Sequence, residues 1–156
     1  LLSNNPDAYA LTRAKKYGIE TKVFNRVQFR ESEEVLNWLN KAKVTHLVLA
    51  GFLWLIPAYL VKAFSDHIIN IHPALLPKYG GKGMYGMRVH EAVKAAMEKE
   101  TGITIHKVNE RYDDGLILFQ ARCEVSFSDT PDQIADKIHR LEHAHYPMVI
   151  EQWIMS

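Results

Sequence analysis

Strand-like and helix-like segments alternate along all 156 residues, and this alternation constrains the chain more than any other feature. It predicts an α/β domain around a largely parallel sheet, because each crossover between parallel strands needs a helix-length connection. The clearest strands are residues 46–52, a nearly continuous apolar run of the kind buried on both sheet faces, and residues 67–72, stopped by Pro73. Between them, Pro57 suits the first turn of a helix reaching about Phe64. Upstream, Asn4, Asn5 and Asp7 offer N-cap chemistry for a helix carrying Ala8, Leu11 and Ala14 and closed by Gly18. Residues 21–24 read as a short strand, and Ser32-Glu33-Glu34 opens a helix bearing Val35, Leu36, Trp38 and Leu39. Downstream, residues 87–99 read as an amphipathic helix. Residues 102–108 and 116–125 read as an antiparallel pair joined at Asp113-Asp114-Gly115, and residues 129–132 cap a final helix to about His145. No repeat or linker interrupts this order, so residues 1–156 are expected to form one domain.

Nineteen basic against 18 acidic side chains give a net charge of +1, which argues against a nucleic-acid partner. The longest apolar run, near residues 52–56, is far short of the roughly 20 residues of a membrane span. The lone Cys123 reads as a buried or half-buried strand thiol, suited to a reducing cytoplasm. Leu1-Leu2-Ser3-Asn4-Asn5 looks like the tail of a strand rather than a signal peptide. The chain is therefore expected to be N-terminally incomplete, without its first strand and helix.

The most informative segment is Asn70-Ile71-His72-Pro73-Ala74-Leu75-Leu76-Pro77. Strand alternation sends Asn70 and His72 to the same side. An amide and an imidazole in an aliphatic strand are costly to bury unless hydrogen-bonded. At the C-terminal end of a strand in an open α/β sheet, where ligands bind, the amide can donate to a developing oxyanion and the imidazole can move a proton. The alternative is a satisfied polar pair that holds the next loop. The segment around Asp113-Asp114-Gly115 is either an ordinary solvated turn or the source of a carboxylate for His72.

The segment 70–77 resembles the Asn-Ile-His-Pro-Ser-Leu-Leu-Pro signature of glycinamide ribonucleotide transformylases. Leu49-Ala50-Gly51-Phe52, Thr101-Gly102-Ile103-Thr104-Ile105-His106, Asp113-x-Gly115 and Glu142-His143-Ala144-His145-Tyr146-Pro147 are similar to that family in order and spacing. The resemblance implies a three-layer Rossmann-like formyltransferase fold, with a mostly parallel sheet and a C-terminal antiparallel pair. It implies transfer of formyl from 10-formyltetrahydrofolate to the amine of glycinamide ribonucleotide, in purine biosynthesis. Asn70 would stabilise the oxyanion, His72 would donate a proton and Asp113 would raise the His72 pKa. Asp113 is chosen over Asp114 because the family's aspartate stands two residues before the glycine.

The same resemblance implies a folate pocket lined by Leu53, Trp54, Leu55 and Ile56, by Asn70, and by Asn109, Glu110, Arg111, Tyr112 and Asp113. Pro73, His139, Arg140, Leu141 and Glu142 would border the ribonucleotide, with Glu142 the main polar contact. The spacing of His139 and His143 suits a zinc pair, but no further ligand set accompanies it, so no metal is expected. The Gly-rich loop 78–88, with Lys82 and Arg88, would border the ribonucleotide site, and Arg30 the folate tail. The partners expected are small molecules, with no membrane and a monomeric or homodimeric state. Rival readings are a formyltetrahydrofolate hydrolase, another formyltransferase, or a non-catalytic folate-binding domain.

Overall fold

The computed structural model describes residues 1–156. The chain divides into two compact units, Leu1–Val44 and Thr45–Ser156.

In the first unit, strands β1 (Leu2–Ser3) and β2 (Lys22–Val23) pair in parallel around helix α1 (Tyr9–Lys16). Gly18, at φ 67°, turns the chain after α1. Two further helices follow, α2 (Arg26–Arg30) and α3 (Glu34–Lys41). The sequence reading passed over α2. Its start is marked by a capping box, in which Asn25 Oδ1 accepts from the Gln28 N–H and Gln28 Oε1 accepts from the Asn25 N–H. Leu11, Ala14, Phe24, Phe29, Val35 and Leu39 form its buried apolar set.

The second unit holds a four-stranded sheet in the order β3 (Leu47–Leu49), β4 (Ile68–His72), β5 (Glu100–Lys107), β6 (Ile117–Glu124). Helices α4 (Ala58–Ala63), α5 (Met87–Ala95) and α6 (Pro131–Met155) complete it. The sheet is mixed. β3 and β4 are parallel, but β5 is antiparallel to both β4 and β6, so the antiparallel part is larger than the sequence suggests.

Three expectations are corrected here. The apolar run 46–52 is a strand only over three residues, with Val48 39% exposed rather than buried on both faces. Gly51, at φ 64°, turns the chain beyond it. The helix expected over 87–99 ends at Ala95, since Met97 lies at φ 51° and β5 begins at Glu100. The final helix runs ten residues beyond His145, through Pro147 to Met155. Proline removes one backbone donor, which an exposed position tolerates more easily than a packed one.

The residues that make the core are the same ones that aim the polar groups. Ile69 and Ile71 on β4 and Ile103 and Ile105 on β5 pack with Ile138, Tyr146 and Val149 of α6. Each such side chain contributes about 1.5–3 kcal/mol by leaving water. Alternation then sends Asn70, His72, Thr104 and His106 to the opposite face, where register pairs Asn70 with His106 and His72 with Thr104. Tyr146 locks α6 to the end of β3, its hydroxyl donating to Leu49 O at 2.7 Å. No helix is long and apolar enough to cross a membrane.

Gly115 makes the turn between β5 and β6 possible. A Cβ there would lie 1.7 Å from Lys107 O, so the backbones approach closer than any side chain permits. Gly115→Ala is expected to lower stability by about 3 kcal/mol, read as a shift in the urea midpoint. A midpoint equal to wild type would show that the turn relaxes freely.

Candidate active site

Asn70 and His72 end β4, and His106 lies across from Asn70 on β5. Asp113 comes from the turn between β5 and β6, held at φ 53°, a left-handed conformation that aspartate tolerates better than most residues. These four side chains meet. Asp113 Oδ2 lies 3.6 Å from His72 Nδ1, and its Oδ1 lies 3.5 Å from His106 Nε2. Asn70 Nδ2 lies 3.2 Å from the same His106 Nε2. The His106 ring is oriented by donating from Nδ1 to Lys107 O at 2.8 Å. His72 donates from Nε2 to Tyr79 O at 2.7 Å, and Asp113 Oδ2 accepts from the Gly81 N–H at 2.9 Å.

Burial disfavours charge on His72, which is only 3% exposed, and sets its pKa below the ordinary imidazole value. Asp113 and the Tyr79 carbonyl push it back up, and His106 pushes it further down. The expectation that Asp113 raises the His72 pKa is therefore right for the sign of that one influence and wrong for the net. Removing the ring from water costs its cation more than the nearby carboxylate returns. Burial also pushes Asp113 up, but the hydrogen bond from His106, the charge on His72 and the Gly81 N–H outweigh it, so the carboxyl lies below its usual range.

The two segments read as a folate pocket come together where the Leu55 N–H donates to Tyr112 Oη at 3.1 Å. Leu53 is half exposed, Trp54 stands edge-on to Phe52 and Ile56 is buried. Apolar side chains beside backbone polar groups suit a flat heteroaromatic ring. Glu110 and Arg111 face solvent, and Asn109 Oδ1 accepts from the Arg111 N–H. Asp114 is exposed beside Arg111, away from the imidazoles. On α6, His139 and Arg140 are exposed and Leu141 and Glu142 half-buried. Burial raises the Glu142 pKa, against the pull of His139 and His143. Pro73 is half-buried directly after His72. In the loop 78–88, Arg88 stacks over the Tyr85 ring at 5.1 Å. Burial raises the Cys123 thiol pKa, so that thiol is not activated. No cluster of three or more His, Cys, Asp or Glu side chains is placed to hold a metal ion.

The sequence reading missed two contributors. His106 stood in a quoted motif but was given no role; pairing β5 antiparallel to β4 is what reveals it. His90, on α5, is 3% exposed, and its Nδ1 has no hydrogen-bond partner.

The fold and this Asn-His-Asp centre define an α/β group-transfer domain. A family model described as "Formyl transferase" matches residues 1–150, and the chain belongs to the formyl transferase family. It is 42% identical over 155 residues to the chloroplastic phosphoribosylglycinamide formyltransferase of Arabidopsis thaliana, covering 96% of this chain and 53% of that one. It is 35% identical to the phosphoribosylglycinamide formyltransferase of Haemophilus influenzae, covering 97% of this chain and 71% of that one. The crystal structure of the Streptococcus pneumoniae phosphoribosylglycinamide formyltransferase superposes with a TM-score of 0.87 at 30% identity, over 98% of this chain and 84% of that one. The chain spans about half the length of the plant relatives it matches.

Burial also lowers the His90 pKa, with His139 and His72 adding to the effect. The unfolded chain takes up protons near the ordinary value of 6.5 that folded His72 and His90 resist. Stability is thus fully present above that pH and is lost as pH falls below it. Removing one of the two rings, in His90→Leu, is expected to flatten the loss of Tm between about pH 6.5 and 5. An unchanged slope by calorimetry would exclude His90 from that loss.

Proposed function

We propose that this chain carries the reacting centre of a phosphoribosylglycinamide formyltransferase, which moves a formyl group from 10-formyltetrahydrofolate to the amine of glycinamide ribonucleotide. The observation that carries the reading is the convergence of Asn70, His72, His106 and Asp113 on the polar face of the sheet, with Asp113 within 3.6 Å of both rings. The family membership supports the reaction class, and the names of the relatives support the substrate.

In the transfer, the carbon–nitrogen bond to the acceptor amine forms and that to the folate breaks; the amine loses a proton and the folate nitrogen gains one. The folate supplies only the formyl group. Residues 53–56, Asn109 and Tyr112 would hold it, while Glu142, with His139 and Pro73, would border the acceptor. Asn70 Nδ2–H is a donor for charge developing on the formyl oxygen. His72 gives its Nε2–H to Tyr79 O and turns Nδ1 toward Asp113, so it serves as proton donor as the imidazolium, the form that Asp113 and the Tyr79 carbonyl favour and burial disfavours. Asp113, kept ionised by His106 and the Gly81 N–H, fixes ring orientation and takes up the amine proton through water.

The test is formyl transfer by the full-length protein with and without the acceptor amine. His72→Ala and Asp113→Asn should each lower kcat/KM by about 10²–10⁴-fold with folding intact by circular dichroism. Rates like wild type in either variant would remove the assignment. Formate released at the same rate without the acceptor would make the activity hydrolytic.

A further inference from the structure

We propose that Gln120, assisted by Tyr79, is a positioning residue for His72, acting through the strap of residues 73–81. Its relevance to formyl transfer rests on the reading above, but its effect on His72 does not.

The strap leaves the sheet after His72 and returns to it twice. Tyr79 O accepts from His72 Nε2 at 2.7 Å, and the Gly81 N–H donates to Asp113 Oδ2 at 2.9 Å. Both members of the His72–Asp113 pair therefore take their orientation partly from the strap's backbone. Its base is tied down by two side chains. Thr104, fully buried, donates to Ala74 O at 2.7 Å and accepts from the Leu76 N–H at 3.0 Å. Gln120, on β6, donates to Thr104 Oγ1 at 2.9 Å and to Leu76 O at 3.1 Å. One hydroxyl donor and two acceptor positions are thereby filled, and Gln120 supplies the last bond. At the strap's tip, Tyr79 Oη donates to Glu98 Oε1 at 2.9 Å, beside the Lys78 ammonium at 2.8 Å.

Ala74 and Leu76 bury the base of the strap, and the segment from Pro77 to Tyr79 is more open. A cavity of about 230 Å³ opens beneath it, lined by Leu76, Tyr79, Glu98, Glu100, Gln120 and Arg122 among others. Beside that gap fewer atoms press on the strap, so the polar ties help set where Tyr79 O sits. The charged groups on this side are paired with one another, Lys78 with Glu98 and Arg122 with Glu100, and leave Gln120 as the neutral tie. The groups facing His72 itself are Asp113 from the turn, His106 from β5 and His90 from α5.

The sign of the effect follows. Burial lowers the His72 pKa and the Tyr79 carbonyl raises it; neither Gln120→Leu nor Tyr79→Phe removes a side chain that faces the ring, so burial stays in place and the weakened carbonyl bond lets the pKa fall further. The limb of the rate profile that reports His72 then moves to lower pH. Gln120→Leu keeps the bulk and removes both bonds; Tyr79→Phe removes only the tie at the tip. In an NMR titration of the unliganded protein, His72 should titrate lower by on the order of half a pH unit in each variant. In full-length enzyme, kcat/KM for formyl transfer should fall roughly tenfold, mainly through kcat.

His72 titrating as in wild type in the folded variants would overturn the proposal. If Gln120→Leu does not fold, Tyr79→Phe decides alone. A downward shift in a protein that transfers no formyl group would support the positioning role and remove the functional reading instead.

Discussion

One carboxylate between two imidazoles organises the second unit. Asp113 reaches it from a turn, His72 from β4 and His106 from β5, which pairs antiparallel to β4, so the cluster exists only when three separate segments are in register. At such separations an ion pair is worth on the order of 4 kcal/mol at an effective dielectric of about 20. For His72 burial still wins, and the ring stays mostly neutral. For Asp113 two donors, His106 and the Gly81 N–H, together with the charge on the rings overcome burial, and the carboxyl stays charged. The site thus holds a fixed anion beside a ring that resists becoming a cation, an arrangement suited to proton movement.

What keeps this cluster at working geometry lies behind it. The isoleucines of β4 and β5 press onto α6, and Tyr146 ties α6 to the backbone of β3. The Tyr146 hydroxyl is pushed up by burial and by Glu142, so it remains a donor across the whole useful pH range. The strap, by contrast, is buried only at its base, sits over a cavity and is held in part by hydrogen bonds. Rigidity therefore comes from packing on one side of the sheet and from packing with polar ties on the other.

Much of this was legible in the residues. Asn70 and His72, two apart in an aliphatic strand, already declared a shared face, and Asp-Asp-Gly already declared a turn. The choice between Asp113 and Asp114 needed the family spacing, because turn chemistry treats the two alike. His106 stayed hidden because its partner Asn70 is 36 residues away, and only strand pairing joins them. Gln120 and Thr104 were invisible for the same reason. Helix α2 was readable from Asn25-x-x-Gln28, but five residues give almost no periodicity. The reach of α6 was misjudged because Pro147 reads as a stop, while tertiary packing of Tyr146 and Val149 carries the helix past it. The low pKa of His72 depends on how much water the folded chain excludes, a quantity no local motif encodes.

The two-residue rhythm of β4 and β5 has a consequence for how this protein tolerates drift. Isoleucines occupy positions 69, 71, 103 and 105, while Asn70, His72, Thr104 and His106 occupy the positions between them. The four isoleucines face the α6 side and the four polar residues face the other. A one-residue slip of either strand would therefore exchange the two sets, sending isoleucines to the cluster and imidazoles into the core, so the register of β4 on β5 guards both at once.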